Sequence, residues 1–113
     1  MNIQIFGTKK SFDTKKAQRY FKERRIKFQF IDLREKEMSK GELQSVMRAA
    51  GGIDAVIDQG AKDQDTVALI TYLVESQKFD KLLENQQVLR EPIVRNGAKA
   101  TVGYCPEVWK TWE

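Results

Sequence analysis

Two places in this 113-residue chain carry side chains suited to reactive chemistry. One is the run Lys9-Lys10-Ser11, a hydroxyl behind two cations just ahead of a helical pattern. Backbone N–H groups at a helix start, together with the hydroxyl and the lysines, can hold an anion. The other is Cys105, the sole thiol, which is followed by Pro106. Proline at a first helical position puts Cys105 at the N-cap, where the helix field stabilises a thiolate. Each place also has a plainer reading: Ser11 caps the helix while the lysines are solvated, and Cys105 is an unremarkable thiol.

Several chemistries are excluded outright. With no histidine, the chain cannot supply a Ser-His or Cys-His pair, a His-ligated zinc or an imidazole switch. One cysteine rules out an internal disulfide, a CxxC pair and a Cys-based zinc cluster, so no metal site is expected.

The elements that must position these residues follow from the patterning. Residues 2–6 alternate polar and apolar and stop at Gly7, which predicts a strand feeding the loop 7–11. Asp13 or Ser11 caps a helix to about Arg25, with Ala17, Tyr20 and Phe21 on one stripe. Residues 27–33 alternate again, completing a βαβ unit. Ser39 and Glu42 form a capping box, Leu43, Val46, Met47 and Ala50 mark a helix face, and Gly51-Gly52 ends it. The pattern stays helical from Ile53 to about Asn85. Residues 92–95 and 100–103 flank Asn96-Gly97, a hairpin signal, and a last helix carries Val108, Trp109 and Trp112. The order β-α-β, helices, β-β-α is an α/β thioredoxin-like architecture: one domain over residues 1–113 with a helical insertion over about 39–88.

Composition bounds the partners. Twenty Lys+Arg against sixteen Asp+Glu give a net charge of +4, with acids interleaved in stretches such as Lys22-Glu23-Arg24-Arg25. Lys15, Lys16, Arg19, Lys22 and Arg25 gather on the first helix, but with Asp13 and Glu23 beside them and no aromatic interleaving the expectation is a solvated surface that does not bind nucleic acid directly. No apolar run approaches the ~20 residues of a membrane span, and the opening residues do not read as a secretion signal, so a cytoplasmic location and no membrane partner are expected.

Residues 5–17 (IFGTKKSFDTKKA), 28–34 (FQFIDLR), Pro92-Ile93-Val94 and Val102-Gly103-Tyr104 followed by Trp109 resemble the thioredoxin-fold arsenate reductase (ArsC) family, which includes the YffB-like proteins and the Spx-type transcription regulators. The resemblance runs along essentially the whole chain. It implies that Ser11 stands where the family has its catalytic or redox cysteine, and Thr14 where many Spx-type regulators have a second one. It implies a cis Pro92. It also places Glu91 where the family has an arginine before the proline, with Arg90 one residue earlier, and leaves Val56-Ile57-Asp58-Gln59-Gly60-Ala61 without the family's other arginine. Lys62 is the nearest cation there, and Glu91 would repel an anion held by Lys9, Lys10 and Ser11.

A serine without a base is inert as a nucleophile, and the oxyanion loses its cations, so no arsenate reductase activity and no resident cofactor are expected. The resemblance then implies a redox-insensitive protein-interaction or regulatory module. The implied partner is the C-terminal domain of the RNA polymerase α subunit, with Gly51-Gly52 near the family's contact glycine. The alternative is a glutathione- or thiol-dependent oxidoreductase working through Cys105.

Overall fold

The computed structural model describes residues 1–112. Four strands, β1 (Ile3–Gly7), β2 (Phe28–Asp32), β3 (Ile93–Asn96) and β4 (Lys99–Val102), form one sheet in the order β2-β1-β3-β4. β1 and β2 run parallel with Ile5 opposite Phe30, and β3 is antiparallel to both β1 and β4. A parallel pair needs a crossover, which α1 (Phe12–Glu23) supplies; the antiparallel pair needs only a tight turn, made at Gly97 with φ 63°.

Alternation along the strands divides the core between the two faces. Ile3, Ile5 and Val94 meet Ala17, Tyr20 and Phe21 of α1 and Trp109 of α5 (Pro106–Trp109). Trp109 is the hub: its ring lies 5.1 Å from both Tyr20 and Phe21, and its indole N–H donates to Thr101 Oγ1 at 2.8 Å. Phe6, Ile31 and Ile93 point the other way, onto α2 (Lys40–Ala50) and the helices that follow. The Ser39 capping box is present in both directions, and α2 closes at Gly51 with φ 95°.

The structure divides the helical stretch from 53 to 85 into separate helices. They are α3 (Gln64–Tyr72) and α4 (Glu75–Glu84), with short 3-10 turns before and after. Asp63 starts α3 by accepting from Thr66 N–H, and Leu73 and Val74 are extended, so the chain turns between the helices. The Thr66 and Gln87 hydrogen bonds to its carboxylate lower the pKa of Asp63. Just beyond, Gln86 is a buried polar clip: its amide accepts from Met38 N–H at 2.8 Å and donates to Met38 carbonyl at 2.9 Å. α1 ends at Glu23, close to the expected Arg25, where the backbone turns left-handed at φ 56° and the Ile26 N–H bonds back to Phe21 carbonyl. No helix among the described residues is long and apolar enough to cross a membrane.

Candidate functional site

The loop from β1 to α1 is a polar knot built around a carboxylate. Ser11 is the N-cap of α1, as one of the two sequence readings has it, and its Oγ accepts from Thr14 N–H at 3.2 Å. Thr14, one turn into the helix, is fully buried, so its hydroxyl needs a partner. That partner comes from 77 residues away: Thr14 Oγ1 donates to Glu91 Oε1 at 3.2 Å. The same carboxylate accepts from the Thr8 N–H, and from Thr8 Oγ1 at 3.1 Å. Three donors at a helix N-terminus are thus directed at one internal anion, the arrangement the helix dipole favours.

Gly7 makes the knot possible. A Cβ there would sit 2.4 Å from Thr14 Oγ1, 2.7 Å from Thr14 Cγ2 and 3.1 Å from Glu91 Oε1. The strand end must lie bare for threonine and carboxylate to close over it.

Glu91 reaches this place from the turn into β3, and its peptide bond to Pro92 is cis. Arg90, one residue earlier, lies over Gly103, with guanidinium atoms 3.7–3.8 Å from where a Cβ of that glycine would be. Arg90 and Glu91 both line a cleft of about 410 Å³ with Ser11, Phe12 and Asp58. Phe12 projects from its rim, 79% exposed.

Lys9 and Lys10 are exposed beside the knot, and neither makes an ion pair among the described residues. The structure therefore brings Lys9, Lys10 and Ser11 to one loop, but the Ser11 oxygen serves Thr14 and the inward donors serve Glu91. Thr8 is a member of the knot that the sequence reading did not single out. Glu91 was legible as an obstacle to an anion, and in the fold it occupies an anion's place.

Cys105 lies elsewhere, at the junction of β4 and α5. It holds the N-cap position of α5 but its side chain makes no capping bond; its Sγ donates to Val102 carbonyl at 3.4 Å. Burial pushes the Cys105 thiol above the ordinary range, outweighing the nearby Arg90 charge that favours the thiolate. This is the opposite of the thiolate stabilisation expected at a helix start, because a four-residue helix offers little field and the sulfur is partly removed from water.

Comparison with known proteins places the fold. No family model matches the sequence, and no curated protein is significantly similar to it. Solved structures do match over nearly the whole chain. An ArsC family related protein from Bacteroides fragilis superposes with a TM-score of 0.85 at 16% identity, covering 100% of this chain and 98% of that one. An arsenate reductase from Vibrio cholerae gives a TM-score of 0.80 at 21% identity, covering 96% of this chain and 94% of the other. The α/β thioredoxin-like fold of ArsC-type proteins is thus shared from end to end.

Proposed function

We propose that this chain, folded like the ArsC-type proteins, is a redox-inactive binding module and not an arsenate reductase. The observation that carries the proposal is the Glu91 carboxylate on Thr8 and Thr14 at the head of α1. An oxyanion brought to this loop would meet a resident negative charge. At 4 Å and an effective dielectric of 20 that repulsion is about 4 kcal/mol, as much as one lysine at the same distance would contribute. The hydroxyl at the position of the family's cysteine, Ser11 Oγ, is engaged in capping and has no base hydrogen-bonded to it among the described residues.

What supports a protein partner is the rim of the cleft. Phe12 is largely exposed, with Arg90 across the same opening, and aromatic and arginine side chains dominate interface hot spots. The resemblance in the sequence makes the C-terminal domain of the RNA polymerase α subunit the first partner to try. Immobilised wild-type and Cys105→Ser chains should capture that purified domain equally, with or without reductant. A Phe12→Ala variant should capture at least tenfold less. Arsenate-dependent oxidation of glutathione by the wild type, or capture that needs both Cys105 and oxidising conditions, would overturn the proposal in favour of a thiol oxidoreductase.

A further inference from the structure

The charge of this chain is strongly segregated. Nine Lys and Arg lie between Lys9 and Lys27 against only Asp13 and Glu23, whereas the rest of the chain carries eleven cations and fourteen acids. The segregated segment is α1 with its flanking loops. Lys15, Arg19 and Lys22 run along the middle of its outer face, spaced so that consecutive charges are neighbours on the helix. Like charges so placed repel, and none of the three is in an ion pair: the two ion pairs among the described residues, Lys78–Glu75 and Arg95–Glu42, lie elsewhere. Arg25 adds to this. It holds a left-handed position where glycine would be preferred by about 1–2 kcal/mol, yet the chain keeps a cation there.

The fold also supplies what the linear sequence lacks, an aromatic among these cations. Phe28 opens β2, an edge strand, and its half-buried ring packs 6.3 Å from Phe21 on one side. Its other side opens to two shallow clefts. One, of about 320 Å³, is lined by Lys15, Arg19 and Lys22; the other, of about 460 Å³, by Lys22, Arg25 and Lys27. The interleaving that the sequence reading did not find is made in space, between a helix and the strand that follows it.

We infer that this surface binds single-stranded nucleic acid, with backbone phosphates along Lys15, Arg19 and Lys22 and a base against Phe28. A row of unpaired cations alone would suit any polyanion. The ring set between them favours a strand whose bases are free to stack, which a duplex, an anionic lipid surface or an acidic protein face does not offer. The surface is on α1 and β2 and does not use the Glu91 knot, so it stands or falls independently of the function proposed above.

The test is fluorescence anisotropy of a labelled 15-nucleotide oligo-dT and oligo-U with the full chain, from about 0.05 to 0.3 M salt. The Lys15→Ala/Arg19→Ala/Lys22→Ala variant should lower the slope of log K against log salt by about 2 and weaken binding about 100-fold at 0.1 M salt. All three residues are exposed, so folding should survive. Phe28→Leu, checked for unchanged melting, should weaken binding about 5- to 150-fold while leaving the salt slope intact. The inference is overturned if no oligonucleotide binds at 0.05 M salt, if duplex DNA, heparin or phosphatidylserine vesicles bind as tightly as the single strands, or if a folded Phe28→Leu binds like the wild type.

Discussion

Replacing Glu91 with alanine should destabilise the fold and at the same time create a site for a free anion. The alanine removes the acceptor from two groups at least, the Thr8 N–H and the fully buried Thr14 hydroxyl. Leaving a buried donor unsatisfied costs about 1–3 kcal/mol. Thr8 is half-buried and water can serve part of its need, so a total of about 3 kcal/mol is reasonable. At about 2.1 cal/mol/K of unfolding entropy per residue, a chain of this length should melt about 12 °C lower.

The same vacancy leaves donors at a helix start with Lys9 and Lys10 beside them. Inorganic phosphate should therefore enter where the carboxylate was. If it binds with a Kd near 5 mM, 50 mM phosphate returns about 1.4 kcal/mol by mass action, roughly half the loss. The assay is thermal unfolding of wild type and Glu91→Ala in phosphate against chloride at matched ionic strength. A loss below about 0.5 kcal/mol, or a phosphate effect equally large on the wild type, would refute the idea that Glu91 stands in for a bound anion.

Two further outcomes are expected. Gly7→Ala should cost about 1–3 kcal/mol in denaturant unfolding, since its Cβ would press on a buried, β-branched threonine with no room to turn; a neutral Gly7→Ala would mean that the strand end and α1 are not in close contact. Cys105 should react with a thiol-specific reagent more slowly in the native chain than in the unfolded one. Its folded pKa is raised, so folding favours the thiol: that stabilisation is fully present below the unfolded thiol's pKa and fades as pH rises through the higher native value. Cys105→Ala should accordingly flatten the alkaline side of the stability profile, whereas thiolate formation in the native chain below the ordinary thiol range would contradict it.

The framework of this fold is local, and so it was legible. Alternation marked β1 and β2, Ser39 and Glu42 marked the start of α2, and Asn96-Gly97 marked the hairpin, because each signal lies within a few residues of what it specifies. The turn at Leu73 and Val74 was not marked, since both are apolar and continue the helical pattern while their backbone turns away. The candidate site was half legible for a related reason. Ser11 and its lysines are contiguous, but the group that completes the site comes from Glu91, and no periodicity spans the 83 residues from Thr8. Alternation marks Phe28 only as a strand residue. Its place among the cations of α1 depends on how helix and edge strand meet.

The Gln86 clip extends beyond the two atoms it touches. Residues 33–39 belong to neither strand nor helix, so Met38 has no ladder neighbour, and the buried amide takes that role, offering one acceptor and one donor as a pairing strand would. A side chain thus stands in for a strand across 48 residues of chain. Peeling the insertion away would strip Met38 of both bonds and open its place in the core. The connection after β2 and the end of the helical insertion should therefore lose their structure in a single cooperative step, and an exchange of Gln86 for a residue of equal bulk without the amide would let the two part company.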